Sequence, residues 1–355
     1  MQDSAQYWLQ LAVDKGTSDI FIGAGRHVSF KLNGVITSQS ENRISPAESK
    51  NIVEGLYTLA NRSMDNFIKT GDDDFPVTLP GVARFRVSAY NQRGTLAAVV
   101  RVVMFQLPDR QTLCIPDEAM VIANEKNGIA LVTGPAGSGK TTTLACIIDA
   151  INKTRNCHII TLEDPIEYLH RDNKSLVSQR EISTDTESYI TALRTCLRQA
   201  PDIILLGEMR DMETIKIAMT AAETGHLIIS TLHTVGAVNT IDRIVDVFPP
   251  EQQQQVRVQL SMLLRTVVSQ QLIVNKEGGI TPAFEIMHNN AAVRNLIREG
   301  KTHQIDNAIQ TTPGMVGMDA YIINMVQQGK VDKDVALTHA FNTEQMMRTF
   351  ERLRL

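Results

Sequence analysis

Residues 134–141, Gly-Pro-Ala-Gly-Ser-Gly-Lys-Thr, have the spacing G-x-x-x-x-G-K-[ST]. An apolar run, GIALVT, precedes them and TTLACIIDAI follows, so the octapeptide reads as a turn from strand into helix. In that setting Gly134, Gly137 and Gly139 free the backbone N–H groups around Ser138 to wrap a phosphate. Lys140 neutralises charge at the β- and γ-phosphates, and the Thr141 hydroxyl, with Thr142 behind it, is placed to ligate Mg²⁺. ATP with Mg²⁺ is the ligand this loop predicts.

Hydrolysis needs carboxylates, and two apolar runs deliver them. IITLEDPIEY places Glu163, Asp164 and Glu167 just beyond a predicted strand, at the end where ligands of parallel sheets collect. One of the three can polarise the attacking water; a solvated acidic turn is the plain alternative. DIILLGEMRD delivers Glu208, where an Asp is usual, towards the Mg²⁺ or its waters. His226 and His233 bracket a further strand in GHLIISTLHT and are candidates for sensing or positioning phosphate. A third ligand at metal spacing is missing, which argues against zinc. Arg84, Arg86 and Arg101 fall on a predicted hairpin, either as edge arginines or as fingers reaching γ-phosphate across a domain or subunit gap.

These residues must be carried by elements. Residues 4–15 have helical spacing with Gly16 as a stop, and SDIFI and VSFKLNGVI read as strands with Asn33-Gly34 as a tight turn. Ser45-Pro46 opens a helix predicted over 46–69, and ARFRVSAY and TLAAVVRVV form a hairpin across NQRG. Residues 1–105 therefore read as a mixed α+β sheet domain, and the prolines of FQLPDRQTLCIPDE mark a linker at 106–116. From 117 to 284, GIALVTG, CHIITLE, DIILLGE and HLIISTLH are buried parallel strands alternating with helices, an α/β core. Residues 285–355 read as helical and end in a charged, partly disordered tail, QMMRTFERLRL.

The bulk properties narrow the partners. A net charge of -4 argues against a protein that coats nucleic acid generally, though it leaves room for a local basic patch, and no aromatic–basic channel for a single strand is evident. With 43% hydrophobic and 21% charged residues the chain has a soluble globular balance. No secretory signal and no run near the ~20 apolar residues of a membrane span occur, so any membrane role is peripheral. The four cysteines, at 114, 146, 157 and 196, form no CxxC pair and read as buried free thiols of a reducing compartment.

Taken in order, GPAGSGKT, TLEDPIEY, DIILLGEMRD and AAETGHLIISTLHT are similar to the Walker A, Asp box, Walker B and His box of the secretion ATPases. That superfamily powers type II secretion and type IV pili. The likeness extends to GVARFRVSAYNQRG and TIDRIVDVFPPEQQQQVR, and so covers nearly the whole chain. Within the superfamily the sequence most resembles the PilT-type retraction branch. AAVRNLIREG (291–300) is similar to the AIRNLIRE segment of retraction ATPases, with Val293 for isoleucine. The four-cysteine zinc element of assembly and type II members is absent, and the sheet domain starts almost at residue 1, without room for their extra N-terminal domain. LRQAPD (197–202) leans towards the PilU paralogue, whereas GEMRD and TAAETGHL pull back towards PilT, leaving both paralogues open.

The resemblance implies a PAS-like N-terminal domain, a RecA-like P-loop core, a ring of six identical subunits and ATP hydrolysis at the cytoplasmic face of the bacterial inner membrane, against a pilus platform protein. It implies Glu163 as general base, Glu208 as the acid beside Mg²⁺, Arg86 and Arg101 as the arginine pair, with Arg84 competing for a place, and His226 and His233 as the His-box residues. For AAVRNLIREG, helical spacing predicts that Ala292, Val293, Leu296 and Ile297 face the core while Arg294, Asn295, Arg298 and Glu299 face outwards. Assembly or secretion ATPases, and a scaffold that holds ATP without hydrolysing it, are the alternatives.

Overall fold

The computed structural model describes residues 4–32, 35–103, 107 and 109–355; the predicted turn at Asn33-Gly34 lies outside them. Two compact units are distinguished: Met1–Leu107 with Glu167–Leu169, and Pro108–Ile166 with His170–Leu355.

The first unit comprises α1 (Ala5–Asp14), β1 (Asp19–Gly23), β2 (Ser29–Leu32), β3 (Val35–Ser38), α2 (Pro46–Leu59), α3 (Asp65–Thr70), β4 (Asp72–Leu79), β5 (Ala83–Gln92) and β6 (Thr95–Val103). Its strands form one sheet in the order β3-β2-β1-β6-β5-β4, with every neighbouring pair antiparallel. Strand alternation sends Ala83, Phe85 and Val87 into a core with Trp8, Leu9, Ile52 and Leu56.

Two expectations are corrected in this unit. The helix predicted over 46–69 is two helices. Ser45 does cap the first in a reciprocal capping box with Glu48, and Pro46 does stand at its start. The chain then leaves the helix at Asn61, whose φ of 50° is left-handed, a conformation asparagine tolerates better than most residues. β4 was not foreseen because DDDFPVTL carries three aspartates and a proline. As an edge strand it accommodates Pro76. Its buried Asp73 accepts bonds from Arg62, Asn66 and Tyr57. Burial pushes the Asp73 carboxyl up, but the bonds from Arg62 and its other partners outweigh that and hold it below its ordinary value.

In the second unit, a short α4 (Asp117–Met120) precedes β7 (Gly128–Thr133), α5 (Lys140–Thr154), β8 (His158–Glu163), β9 (Leu176–Glu181), α6 (Tyr189–Cys196) and β10 (Ile203–Leu206). α7 (Met212–Glu223), β11 (Leu227–Leu232), α8 (Ala237–Asp246), α9 (Pro250–Leu263), β12 (Leu264–Val274) and β13 (Ile280–His288) follow. The chain ends in α10 (Ala291–Arg298), α11 (Ile305–Thr311), α12 (Met318–Gln327), α13 (Lys333–Thr338) and α14 (Thr343–Leu353).

Seven strands make one sheet, β13-β12-β7-β11-β10-β8-β9, parallel except for the β12–β13 pair. The apolar runs predicted as parallel strands are β7, β8, β10 and β11. Successive residues feed two cores: Ile129, Leu131, Ile160 and Leu162 pack on one face, Ala130, Val132, Ile159 and Ile203 on the other. This two-sided burial is why the strands read as continuous apolar runs rather than alternating ones. The arrangement is that of a RecA-like α/β core.

The expectation that the chain turns helical from 285 is corrected by β13, which runs to His288. β12 escaped notice because it begins directly after α9, without a turn, and carries Arg265, Gln270 and Gln271. The tail expected to be partly disordered is α14, capped by Asn342 and anchored by buried Met346 and Phe350. In α10, Val293 and Ile297 are buried and Leu296 half-buried, but Ala292 is exposed, so the buried stripe is narrower than predicted. Cys146 and Cys196 are buried, and burial pushes each thiol up to about 11; Cys157 is half-buried and Cys114 is exposed, contrary to expectation.

Candidate active site

Strand register brings the motif ends to one rim of the parallel sheet. Leu206 pairs with both Leu162 and Ser230, and Leu232 pairs with Thr133. The residues that follow, Glu163, Gly207-Glu208, His233 and Gly134, therefore emerge side by side. Bonds from Gly207 N–H to Leu162 O (2.8 Å) and from Thr231 Oγ1 to Gly207 O (2.5 Å) lock these strand ends together.

The loop between β7 and α5 has Gly134, Gly137 and Gly139 at φ values of 142°, 76° and 84°. A Cβ at Gly134 would stand 2.2 Å from the Gln270 carbonyl oxygen on β12, whereas one at Gly137 would meet nothing within 4 Å. The first glycine is thus demanded by packing as well as by φ, and the second by φ alone. Gln270, missed by the sequence reading, supports the loop further: its Oε1 accepts Thr143 Oγ1 at 2.7 Å.

Lys140 Nζ donates to the carbonyls of Gly134 (2.9 Å) and Pro135 (3.0 Å) and lies 3.5 Å from His233 Nδ1. The Ser138 hydroxyl is buried without a hydrogen-bond partner. An orphaned donor beside an ammonium is what an anion-binding loop supplies, so these residues fit a nucleotide phosphate. Thr141 and Thr142 lie half-buried in the first turn of α5.

Glu163 is 7% exposed, and its Oε1 accepts Thr161 Oγ1 at 2.6 Å and Gln179 Nε2 at 3.1 Å. Glu208 pairs with Arg210 at 2.5 Å and with His233 Nε2 at 3.4 Å. His233 thus stands between the loop lysine and the Glu208 carboxylate. Tyr189, a further residue absent from the motifs, brings its hydroxyl to 2.6 Å from where a Cβ on Gly207 would stand. Burial makes this phenol a weaker acid than an ordinary tyrosine, and the charges of Asp164, Glu208 and Glu163 push it further the same way, so it stays neutral. Glycine is the residue type that leaves room for this ring.

The two histidines are not brought together. β11 separates them, and seven residues of extended chain span about 23 Å. His226 accompanies Gly128 at the opposite end of the sheet, its carbonyl accepting the Gly128 N–H at 3.0 Å. Its Nδ1 is 2.9 Å from the carbonyl of Ala221, closing the turn after α7. Of the two histidines proposed to sense or position phosphate, His233 stands beside the loop, and His226 lies a strand's length away at the other end of the sheet.

The three arginines belong to the first unit. Arg84 and Arg86 alternate with buried Ala83, Phe85 and Val87, and Arg86 pairs across the sheet with Arg101, so all three lie on the face away from that core. Arg101 Nε donates to Asp19 Oδ1 at 3.0 Å.

The Thr141 hydroxyl and the Glu208 carboxylate are hard oxygens, the ligand type that Mg²⁺ takes. Among the described residues no group of three or more His, Cys, Asp or Glu could hold a metal unaided.

A family model described as type II/IV secretion system protein matches residues 3–331. The chain belongs to this family. It is 42% identical over 334 residues to the type IV pilus retractation ATPase PilT of Pseudomonas aeruginosa, covering 92% of this chain and 95% of that one. It is 37% identical over 335 residues to the type IV pilus ATPase PilU of the same organism, covering 94% and 87%. Among solved structures, the pilus retraction motor PilT with bound ADP superposes with a TM-score of 0.89 at 39% identity, over 96% of this chain and 98% of that one.

Proposed function

We propose that this protein is an ATPase that drives type IV pilus retraction. The observation that carries the reading is the convergence of the phosphate loop, Glu163, Glu208 and His233 on one rim of the sheet. The higher identity to PilT than to PilU, at similar coverage, favours the retraction motor over its paralogue. AAVRNLIREG supports the same branch over assembly and secretion ATPases.

In this reading Lys140 exchanges its loop carbonyls for the β- and γ-phosphates, and Ser138 gains the partner it lacks. Thr141 and Glu208 hold Mg²⁺, which when bound polarises the phosphoryl oxygens. Glu163, oriented by Thr161 and Gln179, accepts the proton of the attacking water. His233, between Lys140 and Glu208, reports whether γ-phosphate is present. Arg86 and Arg101, with Arg84 as the third candidate, complete the charge from the sheet unit of the same or a neighbouring subunit. Loss of γ-phosphate then releases the contacts that held a closed state. Six such subunits in a ring, at the cytoplasmic face of the inner membrane, would turn these closures into displacement of the pilus platform protein. The exposed side of α10, with Arg294, Asn295 and Arg298, serves retraction rather than ATP turnover in this reading.

Deleting the gene tests the direction of work. Cells with excess pili and no twitching motility are expected; bald cells would identify an assembly ATPase and overturn the proposal.

A further inference from the structure

Glu163 owes its placement to a residue outside the recognised motifs. β8 and β9 pair in parallel register, Thr161 against Gln179 and Glu163 against Glu181. Gln179 reaches diagonally from β9 to donate its Nε2 to Glu163 Oε1 at 3.1 Å. The orientation of that carboxamide is not arbitrary. Its Oε1 accepts the backbone N–H of His170 at 2.8 Å, which obliges the NH₂ group to face the carboxylate. On the strand itself, Thr161 Oγ1 donates to the same oxygen at 2.6 Å.

We propose that Gln179 is a positioning residue for ATP hydrolysis. It fixes the Glu163 carboxylate through one oxygen and keeps it ionised in a buried setting. The inference rests on the reading of Glu163 as general base. A Glu side chain has three rotatable bonds, so a base carried on one reaches a single geometry only when its head is held. Two donors on one oxygen hold it, and donors to a carboxylate favour its charged form against the cost of burial. Ionisable groups around it include Asp164 next in the chain, Glu181 on β9, Tyr189 on α6, and beyond β10 Glu208 with its partners Arg210 and His233.

The test is steady-state ATPase activity of the full chain across pH, comparing the wild type with Gln179→Leu, Gln179→Glu, Glu163→Gln and the double variant Gln179→Leu/Glu163→Gln. Gln179→Leu should lower kcat roughly ten- to hundredfold, the range for a hydrogen bond to a charged group. KM for ATP should stay within about twofold, because no nucleotide-binding group is touched. The acid limb of the kcat profile should move to higher pH, and further in Gln179→Glu, which keeps the size but adds a like charge. The double variant should be no slower than Glu163→Gln alone. A kcat and acid limb unchanged in Gln179→Leu, with Glu163→Gln inactive, would overturn the proposal while leaving the general base intact. Turnover retained in Glu163→Gln would instead remove the base, and the positioning role with it. Should Gln179→Leu not fold, an unshifted limb in Gln179→Glu overturns the proposal equally.

Discussion

Alanine at Gly134 and alanine at Gly137 should have very different consequences, although both glycines belong to one phosphate loop. At Gly137 the added methyl meets nothing within 4 Å, so its cost is the left-handed backbone at φ 76°, about 1–2 kcal/mol. At Gly134 the φ of 142° is accessible to glycine almost alone, costing about 1–3 kcal/mol for any other residue. The methyl also lands 2.2 Å from the carbonyl oxygen of Gln270 and 2.7 Å from Ser138 Oγ. A hydroxyl can rotate aside, but that carbonyl belongs to β12, whose preceding residue Ser269 is paired with Thr133 of β7. Relief therefore means separating two central strands, an overpacking cost of about 1–3 kcal/mol more. The expected totals are about 1–2 kcal/mol for Gly137→Ala and about 2–6 kcal/mol for Gly134→Ala. At roughly 2–4 °C per kcal/mol for a unit of this size, calorimetry should resolve the two transitions clearly. Equal melting temperatures for the two variants would refute the packing argument, since φ alone would then govern both positions.

Two further predictions concern parts of the second unit away from the loop. Burial pushes the His170 imidazole down to about 4, and its Nδ1 is buried without a partner. The unfolded chain binds a proton near the ordinary value of 6.5 that the folded chain refuses, so stability is full above pH 6.5 and falls as pH drops towards 4. Denaturant titrations should show the wild type losing up to about 1.4 kcal/mol per pH unit more than His170→Asn across that window, and parallel pH dependences would contradict this. Phe350 on α14 is buried with Met318, Ile322 and Met346. Phe350→Ala should cost about 3 kcal/mol or more in chemical denaturation; wild-type stability would mean that the terminal helix is not anchored.

Much of the ATPase fold was legible because two-sided burial leaves a mark in sequence. Runs such as GIALVT and LIISTL have every residue buried, as interior strands of a sheet covered on both faces do. Where the mark is mixed, legibility failed. β4 hides behind three aspartates, one of which is buried only because Arg62, Asn66 and Tyr57 converge on it. That convergence comes from residues on other elements and has no local signature. β12 hides behind its glutamines, though Gln270 is buried against the phosphate loop.

The site divides along the same line. Glu163, Glu208 and the loop could be named from spacing, because each terminates a recognisable strand. Gln179, Tyr189 and Gln270 could not, since their roles exist only once β9, α6 and β12 are laid beside those strands. His226 shows the converse: two histidines near in sequence look like a pair, but a strand of six residues puts them at opposite ends of the sheet.

The central claim, that Glu163 activates water against ATP held by the 134–141 loop, is tested most directly by mixing purified Glu163→Gln with radiolabelled ATP and following both retention and phosphate release. The predicted result is ATP bound with near wild-type affinity and turnover lowered roughly 10²- to 10⁴-fold, the contribution of a positioned base. Phosphate release at a near wild-type rate would contradict the account.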